Sequence, residues 1–437
     1  MAHHQGLILL SINNFLNNNI LIERFNRNPE IEAVDVLLQE RMPADVIITK
    51  ENKEKVGKLK YKDYENYSEK TFNKVNKNIN NINVISNNEY TIVLSDKGTG
   101  YSKYKDILVN RFKETEDTEQ GIFFYVKNIK QKRIWANSHM NYLGPADKYT
   151  VTFSPDSSKI TRIDGNIETT TKVTVCSGDN VEIRSLEITN IGNLEEILEV
   201  TSFLEPVLSS KEADISHPAF NNLFLRYEYL EDMNAILVRR RDRHSTNQEI
   251  YMVVFLDTES DNIGELEYEI DKEKFMGRGN INIPKMVAES KPLSKTMGLV
   301  TDPAIVLKRN IKLNPEQKVI LDLVICVSED REEVLDLAKK YKNIGEAIRA
   351  FSLSKSRAEI ETRYIGIKGI EVETYQRMLR YLLFQNPLKK LYVGSGLDQT
   401  AERSKSNCGL FRTTITVLEI RNLRRFANHS TKNTRHK

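Results

Sequence analysis

The run KVILDLVICVS (318–328) is apolar at almost every position, on both faces of an extended chain. A strand of that kind has to be covered on both sides. The chain therefore needs stacked layers, with this strand between two of them. It closes a long succession of similar segments. YTVTFS (149–154), KVTVCS (172–177), VEIRSLEITN (181–190) and EIYMVVFLD (249–257) are rich in β-branched and aromatic residues and are separated by turn residues. Asp164-Gly165, between KITRI and NIETTTKVTV, is a two-residue hairpin signal. From about Val84 to Ser328 no helical period alternates with these strands. The expected fold is mainly β, a large antiparallel β-sandwich of supersandwich size.

Both ends of this region change character. EDREEVLDLAKKY (329–341) opens on acids and closes on Lys339 and Lys340, which complements a helix dipole. IGEAIRAFSLSKSRAEIETRY and VETYQRMLRYLLF follow with helical spacing, and Pro387 ends the series. At the start, Leu9, Leu10, Phe15, Leu16, Ile20 and Leu21 fall near helical spacing, and Pro29 opens a second short helix. Residues 42–84 are rich in Lys and Asn and lack apolar periodicity, as expected of a solvated tether. The expected organisation is thus 1–41 helical, 42–84 linker, 85–328 sandwich and 329–390 helical linker. Residues 391–437 form a basic tail, in which 402–437 carry nine Lys/Arg against two acids.

The balance of charge narrows the function classes. Sixty-four basic against 61 acidic residues give a net charge of +3, which does not suit a dedicated binder of nucleic acid or membrane surface. The tail lacks the interleaved aromatics of a nucleic-acid segment. No stretch approaches the roughly 18 apolar residues of a membrane span. Cys176, Cys326 and Cys408 are odd in number and widely spaced, so neither a disulfide framework nor a metal site is expected. A cytoplasmic protein without cofactor is the expectation.

The stretch SHPAFNNLFLRYEYLEDMNAILVRRRDR (216–243) carries the most chemistry. His217 precedes a proline and is held extended. Phe220, Phe224, Tyr227 and Tyr229 supply rings that stack on sugar faces, and Arg239, Arg240, Arg241 and Arg243 supply guanidinium groups for carboxylate, phosphate or hydroxyl. Read from residues alone, it is an ordinary edge hairpin, with aromatics toward the core and arginines toward water. FMGRGNI (275–281) sets Arg278 between Gly277 and Gly279, where backbone amides can approach a ligand, although a plain turn needs the same residues. SDKGTGYSKYKD (95–106) lacks the strand–loop–helix setting of a phosphate loop. His3 and His4 form neither a metal pair nor a catalytic one. There is no carboxylate pair for glycoside chemistry, no Gly-x-Ser-x-Gly elbow and no His-Glu-x-x-His.

Several of these stretches resemble one family. SHPAFNNLFLRYEYL, ILVRRRDR, EIDKEKFMGRGN and LSKTMGLVTDPAIVLKRNIKLNPEQKV look like the N-terminal sandwich of glycoside hydrolase family 94, and LSDKGTGYSKYKDILVNRF and IDGNIETTTKVTV fit the same domain. The resemblance covers about residues 88–390. MAHHQGLILLSINNFL and ERFNRNPEIEAVDVLLQER resemble the run that closes the glycoamylase-like region in the cyclic β-1,2-glucan synthase branch, so Met1 is expected to match an internal methionine. CGLFR (408–412) fits the family's Gly-Leu-Trp-Arg, but the Gly-Ile-Ser-Gly-Asp run that follows it in the family is replaced by an unrelated sequence. A frame change near Arg412 would account for that departure.

What the resemblance implies is a piece of a carbohydrate-active protein. Family chemistry is inverting phosphorolysis in an (α/α)6 barrel that supplies the general-acid aspartate and the phosphate site. No residue of this chain matches those, so no catalytic residue is assigned. The implied partners are a β-glucan oligosaccharide and inorganic phosphate, with a homodimer as a further expectation. His217, Phe220, Arg239, Arg240, Arg241, Arg278 and Gly279 lie on matching motifs and are expected to bind substrate. The leading expectation is a carbohydrate-binding or scaffold piece that is inactive alone. The alternatives are a β-glucan phosphorylase or glycosyltransferase completed by a separately encoded barrel, and a degraded product without selected function.

Overall fold

A computed structural model describes residues 2–27, 69–75, 81–112, 120–139, 144–241, 249–258, 264–278, 281–365 and 369–383. The helix expected after Pro29, Gly279, Pro387 and the tail beyond Leu383 lie outside the described residues. The chain divides into two compact units, Met1–Lys62 and Asp63–Lys437. In the first, helices α1 (Ala2–Leu16) and α2 (Ile20–Asn26) leave Leu9, Phe15 and Leu16 exposed.

The second unit begins with strands β1 (Lys70–Phe72), β2 (Ile82–Ser86), β3 (Tyr90–Ser95), β4 (Gly100–Tyr104), β5 (Ile107–Asn110) and β6 (Phe123–Asn128). It continues through β7 (Arg133–Ala136), β8 (Lys148–Phe153), β9 (Ser157–Asp164), β10 (Ile167–Val175), β11 (Val181–Asn190), β12 (Glu196–Leu204) and β13 (Pro206–Ser210). Helices α3 (Lys211–Ser216) and α4 (Pro218–Asn222) precede β14 (Leu225–Leu230), β15 (Ala235–Arg240), β16 (Ile250–Asp257) and β17 (Glu267–Asp271). Helices α5 (Lys272–Met276) and α6 (Lys285–Glu289) precede β18 (Pro303–Leu313) and β19 (Lys318–Ser328). Helices α7 (Arg331–Tyr341), α8 (Ile344–Ile365) and α9 (Gly369–Leu383) complete the described chain.

The strands make three antiparallel sheets. The largest runs β1-β8-β9-β10-β11-β19-β16-β15-β14; the others run β17-β18-β12-β6-β7 and β13-β5-β4-β3-β2. One core joins their inner faces. Leu186, Ile188, Leu321, Leu323 and Ile325 from the large sheet meet Phe124, Val126, Leu198 and Val200 from the second and Ile92, Leu94 and Val109 from the third. Because side chains alternate along a strand, the opposite face of β19 turns Val324 and Cys326 toward Val334, Leu335 and Ala338 of α7. This is the double burial that KVILDLVICVS requires. The remaining outer faces have helical covers too: α5 and α6 bring Phe275, Met276 and Val287 against the second sheet, and α9 brings Leu379 and Leu383 to Ile82, Val84 and Val93 of the third.

Local details follow the sequence with small shifts. Ile167 pairs with Asp164, so the hairpin loop is Gly165-Asn166, one residue later than expected. Gly165 takes φ 61 at the first loop position, a left-handed conformation that glycine adopts without steric cost. Asp330 caps α7, its carboxylate accepting the Glu332 N–H at 2.8 Å. Within the stretch read as a polar tether, Lys70–Phe72 forms a strand paired with β8, and β2 starts at Ile82. Three residues of Lys-Thr-Phe carry no periodicity that could have marked them.

Candidate functional site

The chemistry-rich stretch sits at one end of the sandwich, where the chain turns from β13 through α3 and α4 into the hairpin β14–β15. Ser210 caps α3 by accepting the Ala213 N–H. Pro218 opens α4, and His217 before it stands at φ −145, ψ 70. The hairpin reading is correct from Leu225 onward, with β14 at the sheet edge. Residues 211–222 are helical instead, because a Ser cap and a Pro at the first helical position favour two short turns.

Arg240 organises the rim. Its guanidinium donates to Asn221 Oδ1 at 3.0 Å, to the Asn221 carbonyl at 3.4 Å and to the Val207 carbonyl at 3.3 Å. It also lies 5.5 Å from the Phe224 ring, a cation–π contact. Phe224 meets Phe220 edge to face at 5.2 Å, and Phe220 is 44% exposed. A half-exposed ring, Phe220, thus stands beside the Phe224 ring that the fixed guanidinium contacts. The backbone beside it is strained: Leu208 is buried at φ 49, inside a register shift between Pro206 and Ser209. A bulky residue in that region costs about 1–3 kcal/mol and is often held at functional sites.

Beneath the rim lies a buried charge cluster. Arg111 grips Asp214 with two bonds, of 3.1 and 2.8 Å, and donates to Asn222 Oδ1 at 2.8 Å and to Glu205 at 3.4 Å. Lys272 donates to the same Glu205 oxygen at 2.9 Å and lies 3.6 Å from Asp302. Burial works against the Arg111 cation, but Asp214 and Glu205 outweigh it and hold its pKa above the usual value. Burial keeps the Tyr227 phenol neutral, with its pKa well above the ordinary value. Tyr227 OH and Asn221 Nδ2 are buried without a hydrogen-bond partner among the described residues.

Of the residues expected to bind substrate, Phe220 and Arg240 both contact Phe224, and His217 is exposed at the start of the Phe220 helix. Arg241 continues from Arg240, its N–H bonded to the Phe224 carbonyl at 3.0 Å and its side chain exposed. Arg239 does not join them: its side chain alternates to the other face and lies 3.7 Å from Glu249. Arg278 is exposed just after α5, on the outer side of a different sheet, and Gly279 lies outside the described residues. Asn221, Asn222, Arg111, Asp214 and Glu205 were not anticipated. The adjacent asparagines of FNNLF were the available signal, since amides inside a short helix need buried partners. Among the described residues no group of His, Cys, Asp or Glu could hold a metal, and no helix is long and apolar enough to cross a membrane.

Three antiparallel sheets around one core, each with a helical outer cover, define a supersandwich protein. The family model "Glycosyl hydrolase 94, supersandwich domain" matches residues 65–344, and the chain belongs to that family. Among curated proteins it is 26% identical over 387 residues to the cyclic beta-(1,2)-glucan synthase NdvB of Rhizobium meliloti (strain 1021). The match takes in 88% of this chain and 14% of that protein, so the chain spans about a seventh of its relative's length. Among solved structures, a bacterial glucoamylase complexed with acarbose aligns at TM-score 0.40 and 10% identity, over 68% of this chain and 40% of that one. A protein described as a kojibiose phosphorylase from human microbiome aligns at 0.40 and 10%, over 72% and 41%.

Proposed function

We propose that the chain is the supersandwich piece of a β-glucan-processing protein and that its rim at Phe220 and Arg240 binds glucan weakly. The observation that carries this reading is the half-open Phe220 ring set edge to face on Phe224, whose ring in turn meets an Arg240 guanidinium locked by Asn221 and Val207, on a chain of the glycosyl hydrolase 94 supersandwich family. A ring face stacks on a pyranose, and fixed donors meet its hydroxyls. His217 and Arg241 would extend the contact. Arg239, Arg278 and Gly279 remain part of the proposed set only by resemblance. The likeness to a cyclic β-1,2-glucan synthase supports β-1,2-linked glucose as the ligand.

The same likeness supports the proposed organisation. Residues 1–41 would belong to a helical region ahead of the sandwich, 42–84 to a tether that includes β1, 85–328 to the sandwich and 329–390 to a link toward a catalytic barrel. Residues 391–437 would be a departure from the family pattern. Phosphorolysis needs a closed pocket in which phosphate and a general acid meet without competing water, and the sandwich would supply one wall of it. Phosphate would then be a partner of the completed protein. Buried thiols at Cys176 and Cys326, neither in a disulfide, support a cytoplasmic location. Calorimetric titration with β-1,2-glucan oligomers is expected to give saturable heat at weak affinity; a flat titration would leave a purely structural role.

A further inference from the structure

A cleft opens between β1, the start of β2, the end of β8 and helix α9, on residues that the glucan rim does not use. Its cup is apolar, lined by Phe72, Ile82, Phe153, Pro155 and Val372. Lys70 stands opposite Phe153 in the β1–β8 ladder, which places Phe72 on the diagonal from that ring. The two rings meet edge to face at 5.5 Å, with Phe153 buried and Phe72 half-buried. Val372, Glu373, Gln376 and Arg377 fall on one side of α9, because residues four apart on a helix share a face.

The charged groups at the mouth decide what the cup can hold. Gln376 is tied to the N–H and the carbonyl of Val84, both at 3.2 Å. Glu373 and Arg377 have the four-residue spacing of a helical ion pair, but Lys70 has taken the Glu373 carboxylate, and its ammonium also lies 5.5 Å from the Phe72 ring. The exposed Arg377 guanidinium is left with no ion-pair or hydrogen-bond partner among the described residues. Lys70 and Glu373 neutralise each other, so the mouth carries one uncompensated positive charge beside a ring-lined cup. We propose that this cleft binds a small monocarboxylate with an aromatic or branched apolar body. The body enters the cup, where a further ring adds to the Phe72–Phe153 pair. The carboxylate meets the Arg377 fork, whose geometry suits two parallel N–H bonds. A single negative charge balances the single free positive one, whereas a doubly charged phosphate leaves one over. Such a ligand fastens a three-residue strand to a helix that lies beyond residues 65–344 matched by the family model. The site does not depend on the glucan reading.

Isothermal titration of the whole chain with sodium phenylacetate tests it, with circular dichroism to confirm that the variant stays folded. Saturable heat is expected, together with slowed hydrogen exchange at 70–72 and 372–377. Phenylacetamide keeps the ring and loses the charge; acetate keeps the charge and loses the ring. Each should bind about tenfold more weakly, as the loss of a charge-assisted bond or of a buried ring implies. Arg377→Leu should remove the advantage of phenylacetate over the amide. A flat titration, equal binding of acid and amide, acetate binding as tightly as phenylacetate, or a preference for the acid that survives Arg377→Leu would overturn the assignment.

Discussion

Arg111 and Asp214 lie 103 residues apart in sequence and are both buried, and their pairing holds the α3–α4 arm against the sandwich. Removing the cation strands the buried Asp214 carboxylate and leaves Glu205 with Lys272 alone. Arg111→Met is therefore expected to cost about 3–5 kcal/mol, read as a lower urea midpoint at unchanged slope. Asp96 is a different case. Its carboxyl is fully buried, with one oxygen bonded by Asn81 at 2.7 Å and the other unpartnered, and burial pushes its pKa up to about 6 from an ordinary 3.8. The folded state thus holds the proton more tightly than the unfolded one. The stability this confers is present below about pH 4 and is lost as pH rises through about 6, on the order of 3 kcal/mol in all. Asp96→Asn should remove that slope and leave the variant more stable than wild type at pH 8, with little difference at pH 4. A parallel pair of melting-temperature profiles from pH 4 to 8 would refute it. None of this could be read from single residues. A buried carboxylate and an exposed one look alike in sequence until their surroundings are known.

Elements were far more legible, because their signals are local. The double-faced run at 318–328 is a central strand, with β11 on one side and β16 on the other. The acid-to-base gradient of 329–341 is a capped helix. Misreadings fell where long-range pairing overrides local pattern: β1 inside a polar stretch, and short helices where a longer edge hairpin was expected. The Gln376 amide is a contact of this long-range sort, standing in for a neighbouring strand at Val84 across 292 residues. Gln376→Ala is expected to cost about 1 kcal/mol and to speed hydrogen exchange at the Val84 amide, which loses its acceptor. Unchanged exchange there would mean that α9 covers this edge by apolar packing alone.

At the scale of the whole molecule, the family and the sandwich were legible because many long motifs agree. Less of the rim's geometry was legible: Phe220 and Arg240 are linked through Phe224, while strand alternation carries Arg239 away. Acting alone, the purified chain is expected to form no sugar 1-phosphate from β-1,2-glucan and phosphate, and timed assays with authentic product as standard check this. The measurement that bears most directly on the proposed role is hydrogen exchange of the whole chain with and without β-1,2-glucan oligomers. Glucan binding at the rim predicts slowed exchange in residues 211–224 and at 240–241, abolished by Phe220→Ala. Protection confined to other segments, or none at saturating oligosaccharide, would contradict it.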